Sequence, residues 1–123
     1  MNKNRFSFGD VIYADFGEIP DESHPNHEQA GRRPAVVVSN GDEVKGNYLL
    51  TVVPITNSNQ NRNPFSIDLS SYDVSHVTGN ILINQLRTID KDARNVKFLV
   101  TLTDPELLEE LKYSMKLWMG LVE

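Results

Sequence analysis

Pro34-Ala35-Val36-Val37-Val38-Ser39-Asn40 is the stretch on which the fold turns. Its continuous apolar run, mostly β-branched and ending in a polar turn pair, is what a strand buried on both faces requires. Upstream, Asp10–Phe16 (DVIYADF) predicts a strand with Val11, Tyr13 and Asp15 on one side and Ile12, Ala14 and Phe16 on the other. Downstream, Tyr48–Thr56 (YLLTVVPIT) predicts another. Its Pro54 implies an edge position or a bulge, because proline has no N–H to give to a ladder. Phe65–Leu69, Asn80–Leu86 and Lys97–Thr103 complete the strand signals. Residues 17–32, with two prolines and two glycines, form a long loop between the first two strands. Loops of that length in compact domains usually carry function. Asn57–Asn63 (NSNQNRN) is a second polar loop.

One helix follows, over about 104–120. Thr103 or Asp104 can cap it, Pro105 fits its first turn, and Glu106 complements its dipole. Leu108, Leu111, Met115, Trp118 or Met119, and Val122 recur at helical spacing, an apolar stripe for packing on the sheet. Short strands with one C-terminal helix give a mainly β fold with α, a strongly curved antiparallel sheet or small barrel. With no repeat and no linker, the 123 residues read as one domain, 1–123.

The chain has no cysteine, which removes disulfides, thiol catalysis and thiolate metal sites and fits a reducing, cytoplasmic setting. No apolar run approaches a membrane span, and Met1–Arg5 lacks the apolar stretch of a secretory leader. The net charge of −5 argues at first sight against nucleic acid. Its distribution softens the objection. Residues 29–97 carry eight basic and six acidic side chains, while residues 1–28 carry two and six and residues 98–123 two and five. A mildly basic middle can hold a few nucleotides and cannot coat a duplex.

Three segments stand out: Glu28-Gln29-Ala30-Gly31-Arg32-Arg33-Pro34, Val53-Pro54-Ile55-Thr56, and Asn84-Gln85-Leu86-Arg87-Thr88-Ile89-Asp90. With Gly9-Asp10-Val11 and Pro64-Phe65, in this order, they resemble the MazF/PemK (Kid) family of toxin ribonucleases, from about Phe8 to the terminal helix. The resemblance implies an SH3-like small β-barrel, the CcdB/PemK-like toxin fold, with a C-terminal helix. It implies a homodimer that cleaves single-stranded RNA sequence-selectively, leaving a 2′,3′-cyclic phosphate and a 5′-hydroxyl. It also implies a MazE-like antitoxin as partner.

The chemistry of the residues is compatible with that. When a ribose 2′-OH attacks its own phosphate, the nucleophile is built into the substrate, and neither cofactor nor metal is expected. The protein must take the 2′-OH proton, stabilise charge on the phosphorus centre and help the 5′-oxygen leave. Arg33, a planar fork that stays charged, suits charge stabilisation. Thr56 can give one neutral hydrogen bond to the same oxygens. Glu28 is the candidate base; a glutamate at its ordinary pKa of about 4.3 is ionised at pH 7 but weakly basic.

Gln29, Asn57, Arg62, Phe65, Gln85 and Arg87 are the candidate RNA-binding residues, through amides, guanidinium groups and a stacking ring. His27, with His24 nearby, is a candidate accessory proton carrier. Two histidines without a third ligand at fitting spacing do not make a zinc site. Two departures from the family matter. Where the PemK/Kid branch carries a catalytic arginine and aspartate, this chain has Leu82 and Asn84, so that chemistry does not carry over; and the loop before Glu28 is longer than is common. Two alternatives share the fold. A CcdB-like gyrase poison depends on a Trp-Gly-Ile end, which Trp118-Met119-Gly120-Leu121-Val122-Glu123 does not match. An inactive binding module would not need Glu28, Arg33 and Thr56 together.

Overall fold

The structure, a computed structural model, describes residues 5–17, 31–40, 46–57 and 64–122. Its elements are β1 (Asp10–Asp15), β2 (Arg32–Val37), β3 (Leu49–Thr56), β4 (Ser66–Asp68), β5 (Asn80–Leu82), β6 (Arg87–Asp90), β7 (Lys97–Thr101) and α1 (Pro105–Trp118). All strand pairs are antiparallel. The order is β4-β5-β3-β2-β1-β7, with β6 also paired to β3. The fold is therefore mainly β with one C-terminal helix, as expected. The barrel-like sheet does not close among the described residues, since β4 and β7 stand at opposite ends of the order.

The valine run does what its composition requires. Val36 and Val38 enter one core cluster with Val11, Val53, Ile55, Ile67 and Ile81, on the face covered by Leu107 and Leu111 of α1. Ala35 and Val37 alternate into a second cluster with Phe6, Ile12, Ala14, Phe16, Leu50, Val52 and Ile89. A central strand that feeds two cores cannot alternate with polar residues.

α1 begins where its caps place it. The Asp104 carboxylate accepts the amides of Glu106 (3.0 Å) and Leu107 (3.3 Å), and Pro105 opens the first turn. Leu107 and Leu111 are fully buried, while Leu108 and Met115 are partly so. The expected stripe runs off the sheet at its far end: Trp118 and Met119 are exposed, and the helix stops at Trp118 rather than near residue 120. No helix among the described residues is long and apolar enough to cross a membrane.

Pro54 takes the bulge rather than the edge that its missing N–H implied, and the Asn80–Leu86 segment departs from expectation for the same reason. Pro54 lies in the most paired strand, not at an edge: β3 contacts β2, β5 and β6. The Val38 amide donates to the Thr51 carbonyl at 2.8 Å, so odd-numbered residues of β3 turn their backbone groups to β2 and even-numbered ones away. The nitrogen of Pro54 thus points at the other edge. There Thr51 and Val52 pair with Thr88 and Arg87 of β6, Ile55 and Thr56 with Ile81 and Asn80 of β5, and the register slips between them. The slip is filled by a 3-10 turn, Ile83–Gln85. The partner strand bows out opposite the missing N–H, so the stretch read as one strand, Asn80–Leu86, becomes β5 and a 3-10 turn, and β6 follows at Arg87–Asp90, where no strand was expected. Phe65–Leu69 is likewise shorter, with β4 giving way to a 3-10 turn at Leu69–Ser71.

The long loop leaves β1 at Gly17 and returns at Gly31. Its neck is closed by the Phe16 amide on the Gly31 carbonyl (2.9 Å) and the Gly31 amide on the Gly17 carbonyl (2.8 Å). Residues 18–30, the body of the expected loop, lie outside the described residues.

Candidate active site

At one end of the second core cluster the apolar residues give way to polar ones, an opening in its apolar lining. Along β3 the residues of this face run Leu50, Val52, Pro54, Thr56; along β2 they run Val37, Ala35, Arg33. The observed pairs Val37–Val52 and Ala35–Pro54, extended by one step of the pleat, set Arg33 opposite Thr56. Such a pair brings Cβ atoms to roughly 5 Å. On the far side of β2, Arg33 pairs with Ala14 of β1. Thr56 is buried (8% exposed) and pairs with Asn80 of β5, which is equally buried.

Adjacent arginines part company here, because neighbours on a strand face opposite ways. The Arg32 guanidinium lies 4.9 Å from the centre of the Tyr13 ring and donates through both terminal nitrogens to the Asn95 carbonyl (3.3 Å). Arg32 thereby latches the strand ends. Arg33 faces the cluster opening, half-buried. Burial pushes its guanidinium below the ordinary arginine range, and the neighbouring Tyr13 hydroxyl works the other way. A cation held partly out of water interacts more strongly with an anion placed against it.

A second cation reaches the same end from β6. Arg87 pairs with Val52 across the sheet and so shares its face. Its guanidinium stands 5.4 Å from the centre of the Phe16 ring and donates to the Phe16 carbonyl at 3.5 Å. Gln85, half-buried, closes the 3-10 turn just before it. Asn57 follows Thr56 and is exposed; its Oδ1 accepts the Thr78 hydroxyl at 3.2 Å. Phe65, by contrast, packs against the first cluster and meets Trp118 edge-to-face at 5.1 Å and 67°, on the other face of the sheet from Arg33. Glu28, Gln29, His27 and Arg62 lie outside the described residues.

Residues that the sequence reading passed over hold this end together. Gly79 has φ of +117°, and a Cβ there would stand 2.4 Å from the Thr56 carbonyl oxygen. Only glycine lets the chain press so closely on Thr56. Thr78, Gly79 and Asn80 thus clamp Thr56 and Asn57 from the β5 side. A Gly in a Thr-Gly-Asn sequence is a turn signal, but what it presses on is not legible locally. Asn84 has its Oδ1 buried with no partner among the described residues. Among those residues no three His, Asp or Glu side chains gather as a metal site.

The family model described as a PemK-like, MazF-like toxin of type II toxin–antitoxin systems matches residues 7–118. The chain belongs to that family. No curated protein gives a match. Among solved structures, this PemK/MazF-family chain is similar to MazF from Deinococcus radiodurans, with a TM-score of 0.77 at 24% identity over 96% of this chain and 99% of that one. It is also similar to the MazE–MazF complex of that organism, at 0.70 and 22% over 96% and 98%. A mycobacterial endoribonuclease in complex with its cognate antitoxin gives 0.70 and 19% over 95% and 97%. At these identities the likeness bears on the fold, and the sheet and helix of the PemK/MazF toxins are those described above.

Proposed function

We propose that this PemK/MazF-family toxin is a cytoplasmic, metal-independent endoribonuclease that cuts single-stranded mRNA at selected sequences, leaving a 2′,3′-cyclic phosphate and a 5′-hydroxyl and so stopping translation and growth. The observation that supports the reading best is the β2–β3 register, whose extension by one pleat from Ala35–Pro54 would bring a half-buried Arg33 opposite Thr56. In the proposed step the substrate's 2′-oxygen attacks the adjacent phosphorus as Glu28 takes its proton. Arg33, through two N–H groups, and Thr56, through its hydroxyl, bond the phosphoryl oxygens as negative charge builds. The bond to the 5′-oxygen breaks, and that oxygen takes a proton from water as it leaves. Preorganised donors aimed at developing charge are each worth roughly 10²–10³ in rate.

Arg87, across β3 from Arg33, is assigned to a neighbouring phosphate. Gln29, Asn57, Arg62 and Gln85 are assigned to the RNA strand and His27 to accessory proton transfer; Phe65, packed against Trp118 on the other face of the sheet, is withdrawn from that set. The proposed working form is a homodimer restrained by a MazE-like antitoxin; a chain sedimenting as a monomer at micromolar concentration would contradict the first half of that statement. The decisive test incubates purified protein with a long single-stranded RNA in excess EDTA and maps product ends. Discrete cuts bearing cyclic phosphate are expected. Gyrase inhibition without RNA cleavage, or RNA binding without turnover, would overturn the reading.

A further inference from the structure

We infer that Asn57 is a specificity-determining residue, whose carboxamide is locked as a hydrogen-bond donor and so selects a base bearing a carbonyl group, uracil or guanine, beside the scissile phosphate. The inference rests on the nuclease reading for the ligand and for the place of that phosphate at Thr56. The locking rests on the structure alone. A free asparagine reads either kind of edge, because its Oδ1 accepts and its Nδ2 donates. Here Oδ1 is already engaged: it accepts the Thr78 hydroxyl at 3.2 Å. Gly79 lies against the same oxygen, since a Cβ there would stand 2.8 Å from it. One partner and one close backbone contact leave that oxygen little room for a second donor. Nδ2 takes no partner among the described residues, and Asn57 is exposed.

The two residues that hold the oxygen are themselves held. Val77, before Thr78, is buried in the first core cluster. Gly79, after it, accepts the Leu69 amide on its carbonyl at 2.9 Å. Thr78 therefore cannot follow the carboxamide if it turns, and the orientation is set before any ligand arrives. The chemistry of the bases does the rest. Uracil and guanine carry an exocyclic carbonyl oxygen, which accepts; cytosine and adenine carry an exocyclic amino group, which donates. Single-stranded RNA presents these edges unpaired. Nδ2 matches the carbonyl. Against an amino group it sets donor against donor and leaves both unmatched. The two-point contact by which asparagine ordinarily recognises adenine needs the amide oxygen as acceptor, and that oxygen is taken. Asn57 directly follows Thr56, so the base it selects belongs to a nucleotide flanking the phosphate held there.

The test cuts a pool of single-stranded RNA of randomised sequence in excess EDTA and counts the base at each position around the cuts, for the full-length wild type and three variants. The counts are ratios within one enzyme, so a general loss of rate or stability does not move them. Wild type is expected to favour carbonyl-bearing over amino-bearing bases about three- to tenfold at one flanking position, the range of one hydrogen bond. Asn57→Asp keeps the shape and the Thr78 contact and presents an acceptor where Nδ2 was; that position should turn to cytosine and adenine. Asn57→Ala should lose the bias there and leave other positions as in wild type. Thr78→Val removes the hydroxyl alone; the freed carboxamide can then turn, and the bias should fall towards parity with melting unchanged. No carbonyl bias at either position flanking the cut, a profile that Asn57→Asp leaves as it was, or a bias that survives Thr78→Val would each overturn the inference. If the wild type binds the pool without cutting it, the nuclease reading fails, and the base content of the retained RNA, compared between wild type and Asn57→Asp, judges Asn57 instead. If it neither cuts nor binds, both fall.

Discussion

At the scale of single residues, the proposal divides labour by charge and by what each side chain can lose. Arg33→Ala removes the fork that would hold the phosphoryl oxygens, and single-turnover cleavage is expected to fall by about 10³ or more. Arg33 sits half-buried at the mouth of a core and fills none of it, so the variant should melt within a few degrees of wild type. Arg33→Lys restores a point charge without the planar fork and should recover only part of the rate. Thr56→Val keeps the β-branched shape that suits a strand and deletes the hydroxyl; a fall of roughly 10–10² in rate with little change in melting is expected. An Arg33→Ala enzyme cutting at wild-type speed would remove the central assignment. The contrast with Arg32 is a built-in control. Arg32 is held by the Tyr13 ring and the Asn95 carbonyl, so Arg32→Ala should act on stability, through the strand ends, more than on turnover.

At the scale of elements, the site is a meeting of strand ends, and glycine at one turn decides how closely they meet. Gly79→Ala puts a Cβ against the Thr56 carbonyl at a φ of +117° that side chains avoid. It should cost about 2–4 kcal/mol in chemical denaturation and lower cleavage as well, because β3 must shift where Thr56 sits. A neutral Gly79→Ala would mean the contact relaxes freely. Asp104→Ala, which deletes an N-cap on the far face, should cost about 1 kcal/mol and leave turnover per folded molecule unchanged. The two variants together separate loss of site geometry from loss of stability. What was legible in advance follows the same division between local and non-local causes. The β-branched run at 36–38 and the Asp104–Pro105 cap announce their elements because burial and capping act on neighbours in sequence. The 3-10 turn at Ile83–Gln85 was hidden because its cause, Pro54, lies some thirty residues earlier on a partner strand. Arg33 and Thr56 could be named from sequence through family likeness, while their pairing needed the register. Asn80 carries no local mark, since only the fold buries it, and the ring contact that turns Phe65 away from Arg33 is equally a matter of tertiary structure.

At the scale of the molecule, the question is how a chain of net charge −5 holds a polyanion. The sheet answers by concentrating cations rather than by accumulating them. Arg33 from β2 and Arg87 from β6 flank β3 on one face, and Arg62, in the mildly basic stretch 29–97, is the third guanidinium assigned to RNA. Acidic residues dominate the first 28 and last 26 positions, so the chain as a whole repels a polyanion beyond a few close contacts. Such a surface grips a short strand and releases the rest. The consequence is a shallow dependence on salt. Each phosphate neutralised on a single strand contributes about −0.7 to the slope of log affinity against log salt, so three contacts give roughly −2. Between 50 and 200 mM salt the affinity for single-stranded RNA should fall only about 16-fold. Arg87→Ala should flatten the slope by about 0.7 while leaving stability near wild type, apart from the lost contact over Phe16. A slope near −5 for the wild-type protein would show that a broader basic surface takes part, formed by residues outside this opening or by the joining of two subunits. The division of labour between Arg33, Arg62 and Arg87 would then have to be drawn again.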